Sequence, residues 1–310
     1  MIARRTYLIL IFSSVLVFSA CGRDRRNRVR TNDISEVISS EHDSNVDIPS
    51  NDELWSQEEF DLLAPAMPGY IHSQILERIG YITSYNNDTK CPNWVSWHLT
   101  AEHVDGSFPR RGVPYYDDNG NAIGIGPVNS ENQRGDYFLD RDAESPRQLL
   151  SDWPNNDFQM THGHICPAAD NRWSKAAMNQ SFLLTNICPQ DGSLNGGAWQ
   201  KLEDKCRTWA KRFGDIYIVG GPVYINGKVS RTIGESKVAV PDAFFKVVLC
   251  LNGSPKALGF IYPNISAHHN MEEYVTSVDK VEEITGFDFF FNLPDEVENS
   301  IEKKSNLNQW

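Results

Sequence analysis

TNICPQDGSLNGGAWQKLEDKCRTWAKRFG, residues 185–214, reads as a short extended segment, a tight turn and one strongly amphipathic helix. Trp199, Leu202, Cys206, Trp209, Ala210 and Phe213 recur every three or four residues, so they share one helix face, and Gly214 stands where a C-terminal stop belongs. At about 100° per residue, Glu203 and Arg207 lie about 40° apart around the axis, beside that stripe rather than within it. A helix docked through the stripe would hold both along the margin of a cleft. A solvated i, i+4 ion pair, worth a few tenths of a kcal/mol, is the alternative that the helix alone leaves open. Asn186 and Gln190 bracket a Cys-Pro turn upstream, and Asn195 sits just before the helix.

Outward from this helix the chain is rich in short runs of aromatic and β-branched residues bounded by turn formers, which predict strands at 79–86, 94–104, 215–224, 240–251 and 255–263. Gly220-Gly221-Pro222 is expected to end the third, and Asn252-Gly253 to turn a hairpin between the last two. WVSWHLT and AFFKVVLCL are nearly continuous in apolar residues, as expected of central strands covered on both faces. Further helices are predicted at 174–182 and 271–286. Strands mixed with a few helices, without regular βαβ alternation, indicate an α+β fold: a central antiparallel β-sheet flanked by helices. Gly106–Gln159 reads as surface loops near a cleft, where Arg110, Arg111, Arg134 and Arg141 either meet phosphate or stay solvated.

The N-terminus predicts export. Arg4 and Arg5 precede an apolar run of 13 residues, Leu8 to Ala20, which is short for a membrane span and suits a signal-peptide core. Phe18-Ser19-Ala20-Cys21-Gly22 resembles a bacterial lipobox, so residues 1–20 are expected to be a signal peptide and Cys21 a lipidated residue. Secretion without a lipid and a plain N-terminal anchor are the alternatives. Residues 21–60 alternate charge blocks with few large apolar residues and are expected to be a disordered tether. A folded body at 61–298 and a polar, fraying tail at 299–310 follow. The location is then the periplasm or cell surface. The net charge of −12 argues against a protein that coats DNA through a wholly basic surface. Beyond Cys21 the cysteines are Cys91, Cys166, Cys188, Cys206 and Cys250, with Cys206–Cys250 and then Cys166–Cys188 the favoured disulfides.

MTHGHICPAAD, residues 160–170, carries the densest chemistry. His162, His164 and Cys166, with Cys188, offer zinc-ligand types without the usual paired spacing. Alternatively one histidine is a general base, since imidazole suits proton abstraction near neutral pH and the preceding glycine permits close backbone approach.

THGHICPA (161–168), TNICPQ (185–190), LNGGAW (194–199) and Leu202-Glu203 with Arg207 occur in that order, and the chain thereby resembles the DNA/RNA non-specific endonucleases, the ββα-metal group, over about residues 78–292. The resemblance implies His164 as general base, Asn195 as the direct ligand of a single Mg²⁺ (Mn²⁺ able to substitute), and Glu203 holding a water of the ion. It further implies Arg207 as the charge-stabilising group on the scissile phosphate and Asn186 as ordering the substrate side. Gln190 and His162 are expected to contact substrate. DNA and RNA would be the partners, bound through phosphate and therefore with little sequence preference. No protein partner is evident, and the membrane is met only through the lipid anchor. Where the family usually has Asp-Arg before Gly-His, this chain has Thr161-His162, which leaves His162 as the residue placed to face phosphate, cationic only when protonated. A nucleic-acid-binding surface lipoprotein without catalysis is the alternative function.

Overall fold

The computed structural model describes residues 55–108, 113–116, 122–126, 137–153, 160–266 and 270–310. The expected signal peptide, the Cys21 lipidation site, most of the tether and the arginines Arg110, Arg111 and Arg134 lie outside the described residues.

The chain enters through helix α1 (Gln57–Leu63), capped by Ser56 in a capping box with Glu59. Strands β1 (Gln74–Glu77), β2 (Ile82–Asn86) and β3 (Cys91–Thr100) follow, then a separate hairpin of β4 (Val113–Tyr116) and β5 (Ala122–Gly126). Strand β6 (Met160–His164), helix α2 (Lys175–Gln180) and strand β7 (Ile187–Asp191) lead into a π-turn at Asn195–Trp199 and helix α3 (Gln200–Phe213). The last part comprises β8 (Asp215–Val223), β9 (Arg231–Ile233), β10 (Val238–Val240), β11 (Ala243–Cys250), β12 (Lys256–Pro263), β13 (Val275–Thr276), α4 (Val278–Thr285) and α5 (Asp295–Ile301).

Seven strands form one sheet in the order β1-β2-β3-β8-β11-β12-β13, every neighbouring pair antiparallel. Its central strands are apolar on both faces because both are covered. Trp97, Leu99, Ile218, Phe244, Val248 and Phe260 pack with Leu202, Cys206 and Trp209 of α3. Alternate residues Trp94, Val219, Phe245, Val247 and Leu249 pack on the other face with Phe60, Leu63, Val278, Val281 and Ile301. The period-2 alternation of a strand sorts adjacent residues such as Phe244 and Phe245 to opposite layers. The α+β expectation holds.

Local expectations fare unevenly. Gly214 ends α3 at φ 95°, and Gly253 turns the β11–β12 hairpin at φ 76°. Gly220-Gly221-Pro222 does not end β8, which runs through to Val223 opposite β11. Gly221 is required there by crowding: a Cβ would sit 2.5 Å from the Asn93 carbonyl oxygen and 2.7 Å from the Phe245 ring. The helix expected over 271–286 is a 3₁₀ turn, a two-residue strand and then α4, because β13 pairs with β12 before the helix begins. Order starts before residue 60, since Trp55 is buried and donates its indole N–H to the Arg78 carbonyl at 2.9 Å. The polar tail does not fray. Trp310 is 8% exposed and packs on Trp209 and Phe213, at ring separations of 5.0 and 5.9 Å. Neither favoured disulfide forms: Cys91, Cys166, Cys188, Cys206 and Cys250 are free, buried thiols, and the Cys91 thiol donates to the Ala239 carbonyl at 3.5 Å.

Candidate active site

Strands β6 and β7 pair antiparallel, His164 opposite Ile187 and Thr161 opposite Gln190, and the chain then turns into α3. The two-strand-plus-helix unit is therefore one contiguous piece of chain. It packs on the main sheet through Ile165, Cys188, Leu194, Trp199 and Leu202.

Gly163 makes the pairing possible. A Cβ there would meet Gln190 Cβ at 2.5 Å and the Cys188 carbonyl oxygen at 3.0 Å, so the strands close only over a glycine. Gly163→Ala is expected to cost about 1–3 kcal/mol through overpacking and to displace His164. Urea denaturation checks the first effect and the NMR shifts of the His164 ring the second; a variant unshifted in both would refute the crowding argument.

His164 ends β6, partly exposed, with its ring edge-on to Phe182 at 5.0 Å and tilted against Tyr137 at 5.6 Å. His162, two residues back on the same face of the strand, is stacked between Tyr137 at 4.0 Å and Trp153 at 3.8 Å. Both faces of its imidazole are thus covered by aromatic rings, which the sequence reading did not anticipate. The zinc arrangement does not assemble: among the described residues the ligand atoms of His162, His164, Cys166 and Cys188 do not converge.

Asn195 is tied to β6. Its Nδ2 donates to Thr161 Oγ1 at 2.9 Å, while Thr161 Oγ1 donates to the Gln190 carbonyl oxygen at 3.1 Å. The tether orients the amide and leaves Asn195 Oδ1 without a hydrogen bond among the described residues. A fixed, neutral oxygen donor with open coordination space suits one hard cation that keeps most of its water. Thr161, one of the two departures from the family pattern, is therefore the residue that aims the expected metal ligand.

Glu203 and Arg207 flank the apolar stripe of α3 as the periodicity implies, both half-buried. Arg207 Nη1 donates to Asp170 Oδ1 at 2.7 Å, and Nη2 donates to Asp204 Oδ1 at 2.6 Å. Asp170 is 3% exposed and also accepts from Trp97 Nε1 at 3.0 Å. Burial works against the Arg207 charge, but Asp170 and Asp204 more than offset it, so its pKa rises. Beneath them lies Lys246, wholly buried on β11, with Nζ 5.0 Å from the Trp97 ring centre and 4.5 Å from that of Trp199. Its Nζ has no hydrogen-bond partner among the described residues. Burial pushes the Glu203 carboxyl up to about 7; Lys246 and Arg207 pull it down, while Asp170 and Asp204 push it further up.

The raised Glu203 pKa carries a stability signature. Between about pH 4.5 and 7 the metal-free folded protein holds this proton while the unfolded chain has lost it, so folding weakens as pH rises through that window. Glu203→Gln is expected to remove that part of the slope. Partial solvation of the side chain keeps the difference to on the order of 2 kcal/mol. Denaturation in EDTA at pH 5 and pH 7.5 measures it, and parallel slopes for both proteins would contradict the assignment.

Two expected site residues are placed elsewhere. Asn186 is wholly buried: its Oδ1 accepts from Cys166 N–H at 2.9 Å, and its Nδ2 donates to the carbonyls of Cys166 and Ser181, both at 2.8 Å. With its polar atoms spent on backbone, it shapes the turn after β6 and cannot order substrate directly. Gln190 is also wholly buried, its side chain lying against Gly163, and does not face the open side of the site. Conversely, Asp170, Tyr137, Trp153 and Lys246 were missed, and Thr161 was noted only as a departure from the family pattern. Lys246 left a signal, a lysine inside the otherwise apolar AFFKVVLC. Asp170 left only its place at the end of MTHGHICPAAD.

Residues 58–296 match the family model for DNA/RNA non-specific endonucleases. The chain belongs to that family. Among its relatives, the mitochondrial nuclease EXOG of Xenopus laevis is 33% identical over 229 residues, covering 69% of this chain and 58% of the relative. That of Homo sapiens is 32% identical, covering 68% and 55%. The chain thus spans less than two thirds of the length of these relatives. Nuclease C1 of Cunninghamella echinulata var. echinulata is 31% identical, covering 70% of this chain and 83% of the relative. In fold, the chain is similar to one in the crystal structure of the EndoG/EndoGI complex, with a TM-score of 0.58 at 24% identity over 74% of this chain and 90% of that one.

Proposed function

We propose that the protein is an Mg²⁺-dependent endonuclease that hydrolyses phosphodiester bonds of DNA and RNA with low sequence preference, leaving 5′-phosphates. The observation that carries this reading is the Thr161–Asn195 tether, which holds the unengaged Asn195 amide oxygen against the strand that ends in His164, in a member of this nuclease family.

Asn195 Oδ1 would hold the ion, with Glu203 fixing water in its shell. The ion supplies charge neutralisation at the phosphate and the leaving oxygen. His164 accepts the proton of the attacking water, in an orientation set by Phe182 and Tyr137. Arg207 keeps guanidinium N–H groups beyond its two carboxylate bonds, and its bond to exposed Asp204 is the one that can yield to phosphate. Phosphate contacts position the substrate without reading bases, which accounts for cutting both nucleic acids. His162, clamped between Tyr137 and Trp153, would meet phosphate by its ring edge alone. We further propose export and lipid anchoring through Cys21; loss of membrane-fraction recovery in Cys21→Ala checks it.

The purified protein is incubated with plasmid and with RNA, in Mg²⁺ or in EDTA, beside Asn195→Ala. Cutting that needs Mg²⁺ and falls at least tenfold in the variant is expected. Retardation of nucleic acid without cutting would overturn the enzyme in favour of a binding protein.

A further inference from the structure

A second group of acids lies on the opposite face of the sheet from α3. Asp279 and Glu282 stand one turn apart on α4, and Glu302 caps the end of α5. The backbone N–H of Asp279 donates to the Glu302 carbonyl at 3.3 Å, which brings the two segments together. One carboxylate oxygen from each of the three lies within 4.8 Å of the other two. Glu302 is 6% exposed, and its Oε1 has no hydrogen-bond partner among the described residues. None of the three has an ion-pair partner there either. Lys280, the basic residue between them on α4, pairs outward with Glu283 at 2.7 Å.

A buried carboxylate that has an unpartnered oxygen and lies close to two further carboxylates is costly unless something positive joins them. Burial, then Glu282, Glu298, Asp279 and Asp288, pushes the Glu302 carboxyl up to about 9. The geometry suits a particular kind of ion. Ca²⁺ binds oxygen at about 2.3–2.6 Å, so two ligands across it stand up to roughly 5 Å apart. Mg²⁺ keeps several of its waters and is usually held by one or two carboxylates, so three protein carboxylates converging on one point suit Ca²⁺ better. The all-oxygen donor set lacks the nitrogen and sulfur that favour zinc.

We propose that Asp279, Glu282 and Glu302 form a calcium-binding site that clamps α4 to the C-terminal segment. The central sheet separates it from Asn195 and Glu203: Val278, Val281 and Ile301 belong to one apolar layer and Leu202 and Cys206 to the other. The site is structural, and it works whether or not the catalytic centre is loaded.

The test follows the thermal midpoint of the full protein in EDTA, in CaCl₂ and in MgCl₂, for wild type, Asn195→Ala, Glu302→Gln and Asp279→Asn, with calcium stoichiometry by equilibrium dialysis. At a hundredfold excess over Kd, calcium is expected to raise the midpoint by on the order of 5 °C in wild type and in Asn195→Ala. One calcium ion per chain is expected in both. Neither Glu302→Gln nor Asp279→Asn should show the rise. Both remove repulsion and should fold, and Asp279→Asn, at a partly exposed position, serves alone if Glu302→Gln does not. No calcium effect in wild type, a preference for magnesium, or a calcium effect lost in Asn195→Ala but kept in Glu302→Gln would each overturn the site.

Discussion

On the proposed function, His164→Ala is expected to lower Mg²⁺-dependent cleavage by about 10²–10⁴-fold, the usual worth of a positioned general base. The protein should stay folded. His164 is partly exposed at the end of β6, and the backbone pairing with Ile187 does not need its side chain. Because His164 is partly exposed, added imidazole should reach the space left beside Phe182 and Tyr137 and restore part of the rate in the variant and none in wild type. Single-turnover rates on plasmid, with near-UV circular dichroism as the folding control, measure both. A variant that keeps its rate would remove His164 from the chemistry and leave the metal and Arg207 to carry it.

Asp140→Ala is expected to destabilise the protein by about 3–5 kcal/mol, because it strands a buried charge. Arg78 is wholly buried; its Nη2 donates to the two Asp140 oxygens at 2.8 and 2.7 Å, and its Nη1 faces Asp142 Oδ2 at 3.3 Å. Thr185, directly before the buried Asn186, also donates to Asp140. The network therefore joins the β1–β2 connection to the segment that leads into β7 and the site. Removing both members of the pair, in Arg78→Met/Asp140→Leu, should recover only part of the loss, since apolar groups replace the desolvated pair while Asp142 loses the guanidinium it faces. Urea midpoints of the single and double variants decide it. A single variant within about 1 kcal/mol of wild type would show that water reaches the guanidinium.

Both arguments concern polar groups whose partners come from far along the chain. That is where the sequence was least legible. Asn186 and Gln190 sit in a recognisable motif, and their letters are those of ligand-binding residues, yet each is wholly buried. Nothing within 185–190 reveals that Cys166 and Ser181 claim the Asn186 amide. His162 likewise reads as a phosphate-facing residue, cationic only when protonated, until Tyr137 and Trp153 close on it from other segments. Lys246 is the opposite case: an odd letter in an apolar run, explained only when Trp97 and Trp199 converge around it.

The amino-acid sequence by itself determined the amphipathic helix Gln200–Phe213, the doubly covered strands Cys91–Thr100 and Ala243–Cys250, and the motif that places His164 at a strand end, Asn195 in the turn before that helix, and Glu203 and Arg207 on the helix. These are local properties: periodicity records which face of an element is apolar, and a contiguous motif carries its own geometry. Only the tertiary structure decided which polar side chains are spent on backbone, that Asp170 holds Arg207 and Thr161 aims Asn195, and that the polar tail docks through Trp310. A polar group's role is set by whether distant neighbours satisfy it on burial, and that information appears only when the layers close.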